Sequence, residues 1–370
     1  MRISFFVPRC TPDNSHGRYV IELAKRLSGE HRITVYAGAF WPPIRSLVRC
    51  QFLPVPVRPA VARLVALWTA SLVVTRRRHA DILHVQGADA PVGNVVTAHC
   101  CNAVMRTASG HATRLHRRVN YAIGARVEKY CMSKPSTRRI IAVSQRVKDE
   151  IEREYNVDAQ RIVVIYHGVD AEVFHPRPLQ RVAVRDRLSI SPELFLVLFV
   201  GGDYRLKGLV PLLEATRRVS GEIRVLAVGV KPDADLARLI RREGLQQLVT
   251  FLEHATDVAS LYAAADCFAL PTRYDTFSLA TLEAMASGLP VIVSRAAGVT
   301  EILSSDRDCL ILEDPNDVGL LAQHITRLMQ DETLRSRLGV EARNTAERHS
   351  WEEVAKQTLA VYRTTLMASP

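Results

Sequence analysis

Residues 270–303 read LPTRYDTFSLATLEAMASGLPVIVSRAAGVTEIL, and this stretch decides the fold. The apolar run at 266–271 predicts a strand, residues 278–288 a helix that ends at a glycine and a proline, and residues 290–294 a second strand. A strand, loop, helix and strand of this length form a βαβ unit with two parallel strands. The loop before the helix then lies at the carboxyl edge of a sheet, where open α/β folds bind their ligands.

Two acids frame that loop. Asp275 precedes the predicted helix, and Glu283 lies in its second turn. The helix N-terminus between them offers free backbone N–H groups and the positive end of the helix dipole, which suit a diphosphate. Ionised carboxylates accept hydrogen bonds, and sugar hydroxyls donate them. The pattern therefore predicts a site for a sugar carried on a diphosphate.

An acid, seven residues, a second acid and then Ala-Met-Ala-x-Gly-x-Pro-Val resemble the E-x7-E signature of the retaining glycosyltransferases of family 4, which have the GT-B fold. Two positions depart from the family pattern. The first acid is Asp275, where the family usually has Glu, and Ser278 follows Phe277 where the family usually has Gly. The resemblance implies that Glu283 holds the ribose hydroxyls and Asp275 the transferred sugar. It also places the amides of Phe277, Ser278 and Leu279 on phosphate or sugar oxygens.

Length, composition and charge narrow the class of protein. A chain of 370 residues most often holds two domains, and 48% apolar residues indicate that they are well packed. The formal net charge of +11 is uneven: residues 1–180 hold 27 Lys and Arg against 13 Asp and Glu, and the remainder holds 22 against 25. A basic amino half predicts an anionic partner, either an anionic membrane surface or an anionic acceptor. Nucleic acid fits the charge, but the lack of a reading motif or an aromatic-studded strand argues against it.

The cysteines and the apolar segments indicate the compartment. Seven cysteines without a C-x-x-C pair are typical of a reducing cytosol. The N-terminal segment lacks the apolar length and cleavage site of a signal peptide. The longest apolar run, residues 64–74, is shorter than the roughly 20 residues that span a bilayer. We therefore expect a cytoplasmic protein, either free or peripheral at the inner membrane face.

The amino half alternates apolar runs with helical patterns. Runs without polar alternation indicate parallel strands that are buried on both faces. The predicted strands are residues 3–7, 33–37, 82–85, 95–98, 140–143 and 162–166. The pattern predicts a Rossmann-like domain.

Two candidate site residues follow strands of this domain. Gly17 lies in a turn-rich loop before a predicted helix, and by itself it indicates only a helix-entry turn. The resemblance places Gly17 near the donor diphosphate, with His16 as a minor candidate on the acceptor side. His99 ends the strand 95–98, and a lone His is more often structural than catalytic. The resemblance implies that His99 contacts the sugar near the scissile bond.

Two basic segments each have more than one interpretation. Residues 61–78 predict an amphipathic helix ending in three arginines. A core-facing helix with cations at its C-terminal dipole is favoured over a membrane contact with Trp68 at the interface. Residues 106–139 carry nine Lys and Arg, opposed only by Glu128. A solvated face, a contact with anionic lipid and a site for a phosphorylated acceptor all fit this run.

The carboxyl half predicts a second set of parallel strands, at residues 195–200, 223–228, 249–252, 267–270, 291–294 and 309–312. The first is followed by Gly-Gly-Asp-Tyr-Arg-Leu-Lys-Gly at 201–208, which is not a G-x-G-x-x-G motif and so does not predict a nicotinamide site. Cations at Arg205 and Lys207 can neutralise charge that builds on a departing diphosphate. The loop resembles the family's G-x-x-x-x-K-G, with Gly202 in the donor loop and Lys207 on the diphosphate. The resemblance also places His254 beside the nucleotide base.

The resemblance covers nearly the whole chain and implies an α/β protein of GT-B fold with two Rossmann-like domains. Residues 1–176 form the acceptor-side domain and 177–350 the nucleotide-sugar domain, with helix 351–370 packing back on the first. The implied reaction moves a sugar from a UDP- or GDP-sugar to an acceptor hydroxyl with retention, in cell-envelope polysaccharide or glycolipid synthesis. Lys207, helped by Arg205, stabilises the leaving diphosphate. No cofactor or metal is expected, since no His, Asp or Glu cluster has metal-ligand spacing.

Two other activities keep the same diphosphate site. An epimerase or hydrolase of the same fold rearranges or releases the sugar without an acceptor. A non-catalytic nucleotide-sugar binder shows no turnover, and the departures at Asp275 and Ser278 favour it. Turnover assays with and without an acceptor separate these activities.

Overall fold

Two all-parallel sheets organise the chain, one of seven strands and one of six. They are seen in a computed structural model, which describes residues 1–54, 60–77, 80–108, 115–255 and 257–367. The chain divides into two units, Met1–His167 with Trp351–Pro370, and Gly168–Ser350. The predicted fold class, with two parallel-sheet α/β domains, is confirmed.

The seven-stranded sheet belongs to the first unit. Its strands are β1 (Arg2–Phe6), β2 (Arg32–Ala37), β3 (Arg49–Phe52), β4 (Ile82–Gln86), β5 (Val95–Ala98), β6 (Arg139–Ala142) and β7 (Ile162–Val164). They lie in the order β3-β2-β1-β4-β5-β6-β7. Buried apolar side chains along β1, β4 and β5 explain why these strands lie at the centre. The edge strand β3 was not predicted, because it is short and none of its residues is fully buried.

Helices cover this sheet. Those of the first unit are α1 (Ser15–Leu27), α2 (Ala60–Arg77), α3 (Asn102–Ala108), α4 (Leu115–Ser133), α5 (Gln145–Tyr155) and, from the end of the chain, α14 (Trp351–Met367). Asn14 caps α1 and Ser144 caps α5, each through its side-chain oxygen. Short 3-10 turns lie at Pro42–Ser46 and Ala159–Arg161.

The second unit contains the six-stranded sheet. Its strands are β8 (Phe195–Val200), β9 (Ile223–Val228), β10 (Val249–Leu252), β11 (Cys267–Leu270), β12 (Val291–Ser294) and β13 (Leu310–Leu312). They lie in the order β10-β9-β8-β11-β12-β13. The order reverses at β8 and β11, which places the loops after these two strands at the switch point of the sheet.

The helices of the second unit follow its strands. They are α6 (Pro178–Arg187), α7 (Tyr204–Lys207), α8 (Leu209–Arg217), α9 (Ala234–Arg242), α10 (Val258–Ala264), α11 (Leu279–Ala286), α12 (Val318–Gln330) and α13 (Glu332–Glu347). Short 3-10 turns lie at Gln246–Leu248 and Gly298–Ile302.

The division between the units lies earlier than the boundary predicted at residue 176. Residues after His167 belong to the second unit because the Val169 N–H donates to the His349 carbonyl and Pro176 packs against Gly288. Helix α14 belongs to the first unit, where its Tyr362 hydroxyl lies 2.6 Å from Nδ1 of the buried His84. Residues 368–370 of the predicted return helix lie outside the described residues.

In the described part of the chain, no helix combines the length and the apolar character needed to cross a membrane.

Candidate functional site

The loop between β11 and α11 is fastened to the chain that follows β12. The Asp275 N–H donates to the Ala296 carbonyl at 3.1 Å, and the Gly298 N–H donates to the Asp275 carbonyl at 2.9 Å. The Val299 N–H donates to the Phe277 carbonyl at 2.6 Å. Backbone bonds of this kind fix the position of the Asp275 carboxylate at the carboxyl edge of the sheet.

Ser278 begins α11 in a strained conformation. Its φ of 86° and ψ of 79° lie in the left-handed region, where glycine is the favoured residue. Its hydroxyl caps the helix at the Thr281 N–H and also contacts the Thr281 hydroxyl at 2.8 Å. The positive φ at this position explains why the family pattern usually has Gly here, since glycine adopts such a φ without strain. The first turn of α11, beginning at Leu279, has N–H groups without an intrahelical partner.

Lys207 and Asp275 form an ion pair. The Lys207 Nζ lies 2.5 Å from Asp275 Oδ2, and the side chains are 22% and 12% exposed. The fold around Lys207 depends on two glycines. A Cβ on Gly208, which has a φ of 79°, would lie 1.9 Å from the Pro271 carbonyl oxygen, and one on Gly201 would meet the Lys207 side chain. The structure thus brings together the predicted diphosphate cation and the predicted sugar-binding acid.

Arg205 is turned toward other acids. Its guanidinium donates to Asp233 Oδ2 at 2.8 Å and to Asp235 Oδ2 at 2.9 Å, and it lies 4.5 Å from the centre of the Tyr204 ring. We predicted that Arg205 stabilises the leaving diphosphate. In the structure, its positive charge is neutralised by two carboxylates at the start of α9. Asp233 and Asp235 were not predicted to have any part in this loop.

Glu283 is buried beneath the helix N-terminus. It is 6% exposed, and its Oε2 accepts a hydrogen bond of 2.9 Å from the Tyr262 hydroxyl. Tyr262 lies on α10 and is fully buried, and its hydroxyl oxygen also lies 3.1 Å from the Ala280 carbonyl oxygen, so its one hydrogen is shared between two acceptors. This tyrosine, which sequence reasoning missed, positions the predicted ribose-binding carboxylate. The contact could not be predicted from the sequence, because Tyr262 and Glu283 are far apart along the chain.

The other predicted residues of the second unit lie at the carboxyl ends of neighbouring strands. Gly202 follows β8, and a Cβ built on it would lie 3.6 Å from the carbonyl oxygen of Gly229, which follows β9. His254 follows β10 and is exposed. Residue 256, in the same predicted base-binding segment, lies outside the described residues. These positions share the sheet edge that carries Lys207 and Asp275.

In the first unit, the close packing of the preceding loop leaves no room for a side chain at Gly17. A Cβ there would lie 2.4 Å from the Arg9 carbonyl oxygen and 2.5 Å from that of Thr11. Its N–H donates to Asn14 Oδ1 at 2.7 Å, inside α1. The Gly17 amide is thus used as a helix-cap contact in this structure, which agrees with the helix-entry turn that the residue alone indicates.

His99 lies in a stack of aromatic and imidazole rings. Its ring centroid is 4.2 Å from that of His16 and 5.6 Å from that of His167. Its Nε2–H donates to Gln86 Oε1 at 2.8 Å, while Nδ1 has no hydrogen-bond partner in the described chain. Burial, and then the neighbouring imidazoles, hold the pKa of His99 well below its usual range. His99 is therefore a neutral ring with one acceptor nitrogen to offer.

A cavity of about 280 Å³ adjoins this stack and is lined by His16, Asp89, His99, Asn102 and Glu128, among others. Glu128 accepts from the Tyr155 hydroxyl at 2.6 Å and from the Asn102 N–H at 2.8 Å. Burial nevertheless raises the pKa of Glu128 to about 7. In the sequence, Glu128 stands out only as the single acid of a basic segment. No sequence motif indicates that Asp89 lines the cavity or that Gln86 contacts His99.

The two basic segments are described in part. The Trp68 indole N–H donates to the Ala88 carbonyl at 3.1 Å and its ring lies 5.8 Å from that of Tyr130, so this tryptophan packs on its own unit. Val65, Leu72 and Val73 on the same helix are exposed. Residues 78, 109–114 and the side chains of 76, 77, 106, 117 and 118 lie outside the described residues.

Within the described ranges, no group of three or more His, Cys, Asp or Glu residues is arranged to hold a metal ion.

Comparison with known proteins identifies the family. A model of "Glycosyl transferases group 1" matches residues 195–331, and a model of "Glycosyltransferase Family 4" matches residues 16–173. A similar curated relative is the MMP alpha-(1->4)-mannosyltransferase of Mycolicibacterium hassiacum, 33% identical over 229 residues, which are 60% of this chain and 53% of the relative. The chain spans about half the length of the curated relatives it matches.

Solved structures show the same fold. WaaG, a glycosyltransferase involved in lipopolysaccharide biosynthesis, superposes with a TM-score of 0.83 at 18% identity, covering 97% of this chain and 99% of WaaG. Anabaena HepE in complex with UDP and glucose superposes with a TM-score of 0.78 at 18% identity, covering 98% of this chain and 99% of HepE. At these identities the likeness is one of fold, and the fold is that of the GT-B glycosyltransferases.

Proposed function

This chain belongs to glycosyltransferase family 4, and we propose that it moves a sugar from a nucleotide-diphosphate sugar, UDP- or GDP-linked, to an acceptor hydroxyl with retention of configuration. One observation carries the proposal. The Lys207–Asp275 ion pair lies at the carboxyl edge of the six-stranded sheet, where α11 begins and Glu283 is buried. Cation, helix dipole and two carboxylates there match a diphosphate with a sugar on one side and a ribose on the other.

Each group has a distinct role in this proposal. Lys207 exchanges its contact with Asp275 for the diphosphate and stabilises the charge that develops as the sugar leaves. Asp275 is then free to accept a hydrogen bond from a sugar hydroxyl. Glu283, held by Tyr262, accepts hydrogen bonds from the ribose. Because Lys207 and the helix N-terminus match the diphosphate charge, we expect transfer to continue when metal ions are chelated.

His99 can offer a hydrogen-bond acceptor to a sugar. A neutral imidazole whose Nδ1 lacks a partner can accept a hydrogen bond from a sugar hydroxyl without carrying charge. The ring is held by Gln86 and by the His16 stack. We therefore assign His99 to the sugar near the anomeric carbon.

The acceptor is proposed to be a glycan or glycolipid of the cell envelope, reached at the cytoplasmic face of a membrane. WaaG acts in lipopolysaccharide biosynthesis, and this chain shares its fold. The basic amino half and the exposed Val65, Leu72 and Val73 of α2 are compatible with a peripheral contact to an anionic surface. Nucleic acid is not proposed as a partner.

The donor is tested with UDP, GDP, ADP and dTDP in a thermal-shift panel on the wild type, on Glu283→Ala and on a control, Glu313→Ala. Glu313 is exposed in the same unit. A nucleotide at 100 times its dissociation constant stabilises by about 2.7 kcal/mol. We expect one nucleotide to raise the melting temperature of wild type and control but not of Glu283→Ala. No shift with any nucleotide would contradict the proposal.

The corresponding sugar nucleotide is then assayed with and without glycolipid acceptors extracted from membranes. Sugar transferred to an acceptor with retained configuration supports the proposed reaction. Sugar released or rearranged at the same rate without an acceptor would instead show a hydrolase or an epimerase. Binding without any turnover would show a nucleotide-sugar binder.

A further inference from the structure

A groove lies at the amino ends of β1, β2 and β3 in the first unit. Arg2, Arg32 and Arg49 are the first residues of these strands, and all three line the groove, which measures about 770 Å³. In the register of the sheet, Arg2 is opposite Arg32 and Arg49 is opposite Thr34. Since parallel strands begin at one edge of a sheet, the fold gathers three guanidinium groups there.

Two of these three arginines have no ion-pair partner among the residues that the structure describes. They are Arg32 and Arg49, and both are exposed. Arg2 is paired with Asp81, at 3.0 Å. None of the described residues that line the groove is an Asp or a Glu. Asp81 neutralises Arg2, and the groove therefore keeps the positive charge of Arg32 and Arg49.

The remaining polar side chains of the groove can all donate hydrogen bonds. Ser4, Thr34 and Tyr36 bring hydroxyl groups to it from β1 and β2. His31 also lines it, and both ring nitrogens of His31 are buried without a hydrogen-bond partner in the described chain. Guanidinium forks match the geometry of phosphate oxygens, and hydroxyl and imidazole donors complete their coordination. This set of donors without carboxylates is suited to a phosphate group.

We propose that this groove, defined by Arg2, Arg32, Arg49, His31 and Thr34, is a second anion site that binds a phosphate-bearing ligand. It lies at the amino edge of the seven-stranded sheet, whereas Gly17 and His99 follow the carboxyl ends of their strands. A phosphate here does not compete with the residues of the proposed transfer reaction. The proposal does not depend on that reaction.

The phosphate has two possible sources, a soluble phosphate or the headgroup of an anionic lipid. Leu47, which lines the groove, is 40% exposed, and Phe52 at the end of β3 is 69% exposed. Exposed apolar side chains next to a cationic groove are suited to a lipid surface, whereas the arginines alone are enough for a free anion. The experiment therefore has an arm for each source.

The first arm measures binding of inorganic pyrophosphate by calorimetry. The full chain carries Lys207→Met, so that the proposed donor site of the second unit does not contribute. Arg32→Ala with Arg49→Ala is compared with a control that also loses two exposed cations of the first unit, Arg153→Ala with Arg363→Ala, which lie outside the groove and outside the two basic segments. We expect the first pair to weaken binding by about tenfold or more, since charge-assisted hydrogen bonds to phosphate are lost, and the control pair to leave it unchanged.

The second arm measures sedimentation with phosphatidylcholine vesicles, with and without phosphatidylglycerol. Loss of binding to the anionic vesicles with Arg32→Ala and Arg49→Ala, but not with the control pair, identifies a lipid headgroup as a ligand. Pyrophosphate binding that depends on the same arginines, without vesicle binding, identifies a soluble phosphate. If neither arm shows binding that depends on Arg32 and Arg49, the groove is not an anion site. Melting temperatures near that of the parent show that each variant is folded.

Discussion

Lys207 Nζ lies 2.5 Å from Asp275 Oδ2, although the two residues belong to segments that follow different strands of the same sheet, Lys207 at the end of α7 and Asp275 in the loop before α11. The strands β8 and β11 are neighbours, so their carboxyl ends place the two segments side by side. The ion pair is mostly buried, and each charge is neutralised by the other when no ligand is bound. Binding of a diphosphate must replace this contact with one of at least equal strength.

Replacing Lys207 by Met should reduce transfer far more than it reduces donor binding. A preorganised cation acts on the charge that develops on the leaving diphosphate, and the loss of one such group costs about 10²–10³ in kcat. Steady-state kinetics with the donor that the nucleotide panel identifies will measure this. Lys231→Met is the control, because Lys231 is 82% exposed in the same unit. Equal rates for both variants would remove Lys207 from the mechanism.

The acid at position 275 should be replaceable by Glu but not by Asn. Asp275→Glu restores the residue that family 4 usually has and retains a carboxylate for Lys207 and for the sugar. Asp275→Asn removes the charge, and loss of a charge-assisted hydrogen bond of about 1.5–3 kcal/mol corresponds to at least about tenfold in kcat/KM. The two variants are compared for transfer at equal enzyme concentration. A Glu variant as impaired as the Asn variant would show that chain length, not charge, decides this position.

At position 278, Gly should be more stable than Ala. Both substitutions remove the cap on Thr281, but only Gly relieves a φ of 86°. A left-handed conformation costs a residue with a side chain about 1–2 kcal/mol, part of which is offset by the greater entropy of unfolded Gly. Urea unfolding should therefore rank Ser278→Gly above Ser278→Ala by about 1 kcal/mol.

The same pair of substitutions at Ser336 is the control. Ser336 is exposed within α13, where Gly should be less stable than Ala by about 0.8–1 kcal/mol. The ranking of Gly and Ala should thus be opposite at the two serines. The same ranking at both would show that the backbone at Ser278 is not strained.

Much of the fold follows from local pattern. The strand β8 begins and ends where its apolar run does, because a strand covered on both faces needs an unbroken apolar sequence. The strand β3 was missed, since an edge strand pairs on one side only and its sequence Arg-Cys-Gln-Phe has no such run.

Residues of the candidate site that lie in one sequence motif could be predicted. Residues that only the fold brings to the site could not. Asp275, Ser278 and Glu283 are close along the chain, whereas Tyr262 reaches Glu283 only through the packing of α10 on its neighbours. The different partners of Arg205 and Lys207 have a geometric reason. Residues two apart on a helix do not face the same side, so Lys207 meets Asp275 while Arg205 meets the acids near α9.

Glu128 should make the stability of the protein depend on pH near neutrality. Burial raises its pKa from 4.5 to about 7, so between these values the folded protein holds a proton that the unfolded chain has lost. The free energy of unfolding should therefore fall as pH rises from about 4.5 to about 7, by an amount on the order of 3 kcal/mol, and level off above. Glu128→Gln removes the titrating group.

Chemical denaturation of wild type and Glu128→Gln at pH 5, 6, 7 and 8 measures this contribution as a difference between the two curves. Wild type should lose stability relative to Glu128→Gln as pH rises, and the loss should be complete near pH 8. The hydrogen bonds from Tyr155 and Asn102 oppose this, because they favour the charged carboxylate. If wild type instead gains stability relative to Glu128→Gln over this range, these hydrogen bonds outweigh burial, and the carboxylate next to His99 and Asp89 is ionised at neutral pH.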